Sequence, residues 1–345
     1  MALEEAPPFW WRKPGLRALL LSPLAGIWGA AAARRMEKQP SAEVRVPVLC
    51  IGNFIVGGAG KTPAAIEFAK AVKARGMKPG FLSRGYGGHV HSPTQVDMDH
   101  HRATDVGDEP LLLAREAITI VSPDRPAGAE LLVALGCDFI IMDDGFQNPK
   151  LRKDFSLVVT DAKRGVGNGY PMPAGPLRAP LLRQLAKADA VLVIGEGPAA
   201  QQVIRKTARG GKPVYLARTV PLDPKSFEGH SLIAFAGIAD PTKLFDSLSA
   251  LGARLVERRG YPDHHVYTAE EAEELLAKAA HQELQLVTTS KDHVRLRGLG
   301  KMQQALADKA LVLDIRLEFD DPRTVSLVID EAMKRAAERM VRSHV

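Results

Sequence analysis

Cysteine is nearly absent from this sequence. Only Cys50 and Cys137 occur among 345 residues, and both stand in apolar stretches that are typical of core strands. Two such residues provide neither a disulfide framework nor the ligand spacing of a metal site, so a reducing compartment fits best. Apolar residues nevertheless make up 46% of the chain and charged residues 25%. That composition supplies a full core and excludes wholesale disorder.

The sequence also lacks a dense run of Lys and Arg, an aromatic stacking motif and any recognisable nucleic-acid-binding module. We therefore predict no nucleic-acid partner, and no motif implies a protein partner. The formal net charge is +6, which favours anionic partners such as phosphate esters or an anionic membrane. No internal repeat or low-complexity tract is present, and the length suggests two domains.

A long apolar run is missing as well. Residues 18–33 form sixteen positions without charge, which is short of the roughly 20 apolar residues of a spanning helix. Tryptophan and basic residues precede this segment at positions 10–13, and Arg34 and Arg35 follow it. Glu4 and Glu5 disfavour a cleaved signal peptide. We predict an N-terminal interfacial membrane helix, with a helix packed on the protein or a spanning helix as alternatives.

Strands and helices alternate along the rest of the chain. Short apolar strands are predicted at residues 46–51, 81–83, 118–121, 139–142, 157–160 and 190–194. The alternation predicts an α/β fold whose parallel sheet is covered on both faces. A second α/β unit begins near residue 229, with strands at 232–236, 254–257, 284–288 and 311–315 and a closing helix at 322–342. The predicted organisation is an N-terminal segment 1–40, a nucleotide-binding domain 41–225 and a smaller α/β domain 226–345.

The strongest motif is the run Gly57-Gly58-Ala59-Gly60-Lys61-Thr62, which joins a predicted strand to a predicted helix. Glycines let backbone N–H groups surround a phosphate, and the helix N-terminus adds partial positive charge. Lys61 is expected to reach the β- and γ-phosphates, and the Thr62 hydroxyl to bind Mg²⁺. Ile55 stands where the strict phosphate-loop pattern has its first glycine. A glycine-rich turn with a chance Gly-Lys-Thr is the alternative.

A second motif ends an apolar strand with two acids, Asp143 and Asp144. Ligands of open parallel sheets bind at the carboxyl ends of the strands, where such acids hold Mg²⁺. Together with the glycine loop, this pair predicts an ATP- and Mg²⁺-binding domain of the P-loop NTPase type. The alternative is a strand-end turn, since Asp-Asp-Gly is also a good turn sequence.

Three further groups carry weaker signals on their own. Asp108 precedes a helical segment and is explained equally well as a helix N-cap. His264 lies in a polar Asp-His-His turn, where a solvated loop is the commoner interpretation. Arg178 ends a rigid proline-rich turn over residues 173–178, which alternatively connects two domains.

Taken in order, these pieces resemble the tetraacyldisaccharide 4'-kinase family, also known as the lipid A 4'-kinases. The resemblance extends from about residue 46 to residue 297. The segments that carry it are residues 46–63, 83–87, 107–110, 143–147, 167–169, 173–178, 235–241, 263–264 and 290–292.

The resemblance implies two α/β/α domains with the active site in the cleft between them. It implies transfer of the γ-phosphoryl group of ATP, with Mg²⁺, to the 4'-hydroxyl of an acylated glucosamine disaccharide 1-phosphate. The expected location is the cytoplasmic face of the bacterial inner membrane, where a late step of lipid A synthesis takes place.

The resemblance also assigns roles to residues. Asp108 is the expected base, coupled to His264 from the other domain, and Asp143 and Asp144 serve the metal. The expected substrate contacts come from Arg84, Tyr86, Asn168 and Arg178. The family often has Thr where Ala59 stands, His where Asn148 stands and Glu where Ala179 stands. These last two departures leave the roles of their positions open.

Two other function classes are compatible with a glycine loop. A membrane-associated ATPase switch that moves protein partners often has Lys just before the loop, where this chain has Val56. A nucleotide-dependent nucleic-acid binder would need a recognisable binding module. ATP consumption that depends on a sugar-lipid acceptor would separate the kinase from both.

Overall fold

The computed structural model describes residues 6–342 and contains two α/β units of unequal size. The predicted strands are present, most of them with bounds shifted by one or two residues. The strands are β1 Val48–Asn53, β2 Pro79–Ser83, β3 Thr94–Gln95, β4 Ile118–Val121, β5 Phe139–Asp143, β6 Phe155–Asp161, β7 Ala190–Ile194, β8 Val214–Pro221, β9 Ser231–Ala236, β10 Arg254–Gly260, β11 Gln285–Thr289, β12 Leu311–Leu313 and β13 Ile315–Phe319.

Helices connect most of these strands and cover both faces of the larger sheet. The helices are α1 Leu16–Glu37, α2 Lys61–Ala74, α3 Ala103–Val106, α4 Asp108–Ala114, α5 Arg125–Ala134, α6 Leu181–Lys187, α7 Gln201–Arg209, α8 Thr242–Ala250, α9 Ala269–His281, α10 Ser290–Leu296, α11 Lys301–Lys309 and α12 Thr324–Arg342.

The larger sheet has nine described strands in the order β13-β8-β7-β6-β1-β5-β2-β4-β3. All neighbours pair in parallel except β13 with β8 and β3 with β4. Strands β1, β5 and β6 are buried along their whole length because helices cover both faces. The carboxyl ends of β1 and β5 therefore meet at one edge, next to the start of α2. This arrangement confirms the predicted P-loop-like parallel sheet.

The smaller sheet is entirely parallel, with the order β10-β9-β11-β12. Its core lies on both faces, with Phe235 and Leu275 on one side and Leu232 and Leu248 on the other. The predicted second, smaller α/β unit is thus present from β9 to β12.

The end of the chain returns to the larger sheet, contrary to the predicted domain 226–345. The apolar stretch predicted as one strand at 311–315 is divided at Asp314: β12 belongs to the smaller sheet, and β13 pairs antiparallel with β8. Helix α12 then packs against α2, where Arg75 forms an ion pair with Asp330 at 2.6 Å. Periodicity could not reveal this, because it identifies a strand but not the sheet that the strand joins.

Helix α1 has two different sides. Its small residues Ala18, Ala25 and Ala33 are buried, and a Cβ added at Gly29 would lie only 3.1 Å from Pro171. Its large apolar residues are exposed: Leu16, Leu19, Leu20, Leu24, Ile27 and Trp28. Within residues 6–342, α1 is long and apolar enough by length and composition to cross a membrane. Pro23 and two glycines do not interrupt it.

The tryptophans expected at membrane headgroups are not all at the surface. Trp10 is buried, and its Nε1 donates to the carbonyl of Pro173 at 3.1 Å. The carbonyl of Trp10 accepts a hydrogen bond from the amide of Asn168 at 2.7 Å. The segment before α1 therefore holds the loop that contains residues 168–173, whereas Trp28 is the exposed tryptophan.

A buried ion pair fastens α12 to the larger sheet and provides a test of this arrangement. Nε of Arg339 donates to Asp154 at 2.8 Å, and Asp154 also accepts from the amide of Val48 at 2.9 Å. Because Arg339→Ala leaves the Asp154 carboxylate buried without this partner, we expect the free energy of unfolding to fall by about 3–5 kcal/mol. The measurement is urea unfolding followed by tryptophan fluorescence. This signal reports on the larger unit, because all three tryptophans lie in the N-terminal segment that packs against it.

The exposed ion pair between Arg323 and Asp321 supplies the control, and Arg323→Ala should leave the urea midpoint unchanged. Equal midpoints for Arg339→Ala and the unsubstituted protein would contradict the assignment of α12 to the larger unit.

Candidate active site

The glycine loop connects β1 to α2 and has the backbone that phosphate binding requires. Gly57 and Gly60 have φ values of 98° and 88°, a region that residues with a Cβ rarely enter. Gly60 is the N-cap of α2, so Lys61 and Thr62 form the first helical positions. The side chain of Asn53 donates to the carbonyl of Gly57 at 2.9 Å and supports the loop from β1. The helix N-terminus consequently faces the carboxyl edge of the sheet.

The residue that replaces the first glycine has a structural function. The carbonyl of Ile55 accepts from Nε of Arg178 at 2.9 Å, and Ile55 forms an isolated antiparallel bridge with Leu177. The amide of Val56 donates to the carbonyl of Pro176 at 2.9 Å. The rigid turn of residues 173–178 is thereby bound to the start of the glycine loop.

Asp144 forms ion pairs with two cations, Arg178 and Lys61. Both its carboxylate oxygens accept from the guanidinium of Arg178, at 2.6 and 3.0 Å, and Nζ of Lys61 lies 3.6 Å away. Burial acts to raise the pKa of Asp144, but the charges of Arg178 and Lys61 outweigh it and hold the pKa well below its usual value. Asp144 is therefore ionised and fixed in place.

Asp143 has the opposite environment. It ends β5 and is fully buried, and neither carboxylate oxygen has a hydrogen-bond partner among the described residues. Burial raises its pKa to about 7, and the nearby charge of Glu109 adds to this effect although Lys61 opposes it. A buried carboxylate without donors needs a counter-charge that these residues do not provide.

Asp108 lies at the start of α4 and is contacted from the smaller domain. Its Oδ2 is 3.1 Å from Nδ1 of His264 and 2.7 Å from Nε of Arg295, and its Oδ1 accepts from the amide of Glu109 at 2.8 Å. Gly107 is the N-cap of α4, so the simple capping explanation for Asp108 is wrong. The two residues that the resemblance couples are in contact across the domain cleft.

The contact between Asp108 and His264 changes the pKa of both residues. Burial acts to raise the pKa of Asp108, but the hydrogen bond with His264 and the charges of Arg295 and Lys291 hold it well below its usual value. The same hydrogen bond raises the pKa of His264 against the effect of burial. Both changes favour a carboxylate facing an imidazolium.

A second ion pair crosses the cleft beside the first. Nζ of Lys291, at the start of α10, donates to Glu109 at 2.6 Å. Burial opposes ionisation of Glu109, whereas the charges of Lys291 and Lys61 lower its pKa. Glu109 is therefore paired with Lys291 of the smaller domain and also feels the charge of Lys61, which brings the Asp108 cluster into electrostatic range of the glycine loop.

Comparison with known proteins identifies the family of the chain. Residues 17–334 match the family described as tetraacyldisaccharide-1-P 4'-kinase. The tetraacyldisaccharide 4'-kinase of Agrobacterium fabrum is 50% identical over 342 residues, 99% of this chain and 98% of the relative. The protein of the same name from Sinorhizobium fredii is 52% identical over 343 residues, 99% of each chain.

The chain belongs to the tetraacyldisaccharide 4'-kinase family. A crystal structure of LpxK from Aquifex aeolicus in complex with ATP has the same fold, with a TM-score of 0.69 and 25% identity over 92% of this chain and 100% of that chain. The predicted resemblance, fold class and kinase class are thus confirmed, and the ATPase-switch and nucleic-acid alternatives are excluded.

The remaining substrate positions predicted for this 4'-kinase differ in their surroundings. Tyr86 is half exposed, and its ring centroid lies 5.6 Å from that of His264. Arg84 directly follows β2 and is exposed. Asn168 uses both ends of its amide within its own loop, donating to Ala174 at 2.8 Å and accepting from Tyr170 at 3.1 Å. Its side chain shapes the loop that Trp10 holds.

The two departures from the family pattern have local structural roles in this 4'-kinase. The side chain of Asn148 accepts from the amide of Lys150 at 2.9 Å. Ala179 is fully buried, and its carbonyl accepts from Gln184 at 2.6 Å. Neither residue contacts Asp108, Asp143 or Asp144 in the described part of the chain.

Sequence reasoning missed Arg295 and gave no role to Lys291 or Glu109. One signal was available: Lys291 and Arg295 are four residues apart, a spacing that puts both on one helical face. Nothing in the sequence alone indicated that this face meets α4, because the partners are 182 and 187 positions apart.

Proposed function

We propose that this family member transfers the γ-phosphoryl group of ATP to the 4'-hydroxyl of an acylated glucosamine disaccharide 1-phosphate. The observation that supports this proposal most strongly is an ionised, fixed carboxylate, Asp108, held by His264 and Arg295 next to Glu109, whose pKa the charge of Lys61 on the glycine loop lowers. A sugar hydroxyl is barely acidic, so phosphoryl transfer to it is faster when a base lies within hydrogen-bond reach of its proton. Phosphoryl transfer otherwise needs positioning and charge neutralisation, which Lys61 and Arg178 can supply.

The residues present fit a Mg²⁺ ion. The unpartnered carboxylate of Asp143 and the Thr62 hydroxyl would hold it, with the fixed Asp144 beside them. Among residues 6–342 no group of three or more His, Cys, Asp and Glu could form a metal cage. This agrees with Mg²⁺, which is usually bound by one or two carboxylates together with substrate phosphates. When bound, the ion would neutralise charge on the β- and γ-phosphates.

Residues of both domains take part in the proposed chemical step. The acceptor oxygen forms a bond to the γ-phosphorus while the bond from that phosphorus to the ADP oxygen breaks. The hydroxyl proton passes to Asp108, and His264 stabilises the carboxylate in the orientation that receives it. Lys61 offsets the negative charge on the transferring group. Closing the cleft around these groups excludes water and so limits loss of ATP by hydrolysis.

We further propose that α1 lies in the membrane interface at the cytoplasmic face of the inner membrane. Its small-residue side packs on the larger domain from Ala18 to Ala33, so the helix runs along the protein surface and presents its opposite, apolar side outward. Arg34 and Arg35 in its last turn are suited to anionic headgroups. A lipid acceptor would then reach the cleft without leaving the bilayer surface.

The direct test combines the purified protein with ATP, Mg²⁺ and the acylated disaccharide 1-phosphate, scored by mass for one added phosphate. Lys61→Ala removes a charge from the transferring group, so we expect turnover to fall by about 10²–10³. Lys70→Ala, on the same helix but at its partly exposed side, should leave turnover unchanged. A folded Lys61→Ala protein with a normal rate would refute the role of Lys61.

The proposed base is tested by a double-mutant cycle. We expect Asp108→Ala to lower turnover by roughly 10²–10⁴ with ATP affinity nearly unchanged, and His264→Ala to lower it less because His264 acts through Asp108. If the two form one unit, the double variant should resemble Asp108→Ala. His100→Ala, which breaks an exposed His–Asp pair, is the control.

Steady-state kinetics and ATP titration of these variants decide between the alternatives. Additive losses would mean separate roles for the two residues. A large loss of ATP binding in Asp108→Ala would move Asp108 to the nucleotide site instead.

The position of α1 is tested by changing its exposed side alone. Leu20→Glu with Ile27→Glu leaves the packed small residues intact, so the protein should fold but shift from vesicles to solution. The matched control is Leu327→Glu with Val341→Glu, two exposed apolar residues of α12. Flotation with liposomes measures the shift, and unchanged flotation of the α1 variant would disprove interfacial docking. Deleting α1 is less informative, because Trp10 and the packed side would be disturbed.

A further inference from the structure

Arg295 is a deeply buried cation at the domain cleft. It belongs to α10 of the smaller domain and is only 4% exposed. Its Nε donates to Oδ2 of Asp108 at 2.7 Å, and its Nη2 lies 2.6 Å from the same oxygen. Two guanidinium nitrogens thus converge on one carboxylate oxygen, whereas Oδ1 of Asp108 is held by the amide of Glu109.

The guanidinium is held rigidly by its own domain. Nη1 of Arg295 donates to the carbonyl of Gly237 at 2.5 Å and to Oδ1 of Asp292 at 2.9 Å. Asp292 in turn accepts from the amide of Gly237 at 2.8 Å, from the hydroxyl of Tyr267 at 2.9 Å and from Thr289 at 2.5 Å. These bonds connect β9, α10 and the loop before α9. Arg295 can therefore present its other nitrogens to Asp108 in one orientation.

The charges around Asp108 divide by domain. The cations that lower its pKa, against the opposing effect of burial, are His264, Arg295 and Lys291, and all three come from the smaller domain. On its own domain Asp108 neighbours the acid Glu109, while Lys61 of α2 acts on Glu109. Asp292, the acid on α10, is engaged by Arg295 itself.

We infer that Arg295 is a positioning residue that orients the carboxylate of Asp108 and keeps it charged, so that the base is complete only when the smaller domain is docked. This inference rests on the proposed role of Asp108 as the base. Without the smaller domain, Asp108 would lose the three cations that lower its pKa and the hydrogen bonds that fix its Oδ2. An enzyme with its domains apart would then hold ATP beside an inactive base.

The test is the pH profile of kcat/KM for Arg295→Met and Arg295→Gln. Both variants remove the charge, and Gln keeps a donor in case the Met variant does not fold. Asp108 must be deprotonated to accept a proton, and losing Arg295 raises its pKa, so activity should be lost first at low pH. We expect the acid limb of the profile to move up by about one pH unit or more. At a pH below the limb, this shift lowers kcat/KM about tenfold. Raising the pH should restore much of the loss.

Arg295→Lys restores the charge without the forked geometry, so its acid limb should return toward that of the unsubstituted protein while kcat stays reduced. Arg259→Met is the matched control, because Arg259 lies in the same domain and pairs with Glu257 and Glu274 away from Asp108. Thermal unfolding and ATP affinity of each variant are measured alongside. If Arg295 had a purely structural role, its replacement would lower the rate equally at every pH.

Two outcomes overturn the inference. One is an acid limb that stays in place in a folded neutral variant, and the other is an Arg295→Lys limb displaced as far as that of Arg295→Met. Asp108→Asn separates this failure from failure of the proposed function. If Asp108→Asn is nearly inactive and the limb does not move, only the role of Arg295 falls. If Asp108→Asn turns over normally, the base assignment itself falls.

Discussion

An ionised carboxylate removed from water must be compensated by nearby donors or cations. Four acidic side chains at one edge of the larger sheet have this requirement: Asp108, Glu109, Asp143 and Asp144. Asp144 receives this compensation from its own domain, through Arg178 and Lys61. The requirement explains why the turn of residues 173–178 is bonded to the glycine loop: Arg178 needs a fixed position to serve Asp144 and the carbonyl of Ile55 together. The loop that would receive phosphate is thus shaped by charges already present.

Asp108 receives its cations from the other domain, and Glu109 is compensated by Lys291 of that domain together with Lys61 of its own. The two connections between the domains are themselves bonded, since the amide of Leu222 donates to the carbonyl of Asp314 at 3.0 Å. The return of the chain through β13 and α12 is what creates the second connection. Asp143 is the acid whose carboxylate accepts no hydrogen bond in the described part of the chain, and this is the basis for the metal site proposed above.

The N-terminal segment contacts the loop that leads to the same edge of the larger sheet. The packed side of α1 approaches Pro171, and Trp10 bonds to Pro173, so both contact the loop that leads to Arg178. A helix that faced lipid on one side and this loop on the other would bring a lipid acceptor close to the cleft. The pattern of small and large residues along α1 explains both contacts, because Ala and Gly permit close packing while Leu, Ile and Trp favour an apolar phase.

The sequence by itself determined the local features. The glycine loop, the apolar strand that ends in Asp143 and Asp144, and the strand–helix alternation all depend on residues close together in the chain, and such patterns follow from backbone sterics and burial. Family resemblance added Asp108 and His264, which no local pattern could distinguish from a cap and a solvated turn. Only the tertiary structure decided that β13 joins the larger sheet, that Trp10 points inward and that Arg295 meets Asp108. Those contacts join residues more than 90 positions apart, and their energy exists only after these distant segments have packed together.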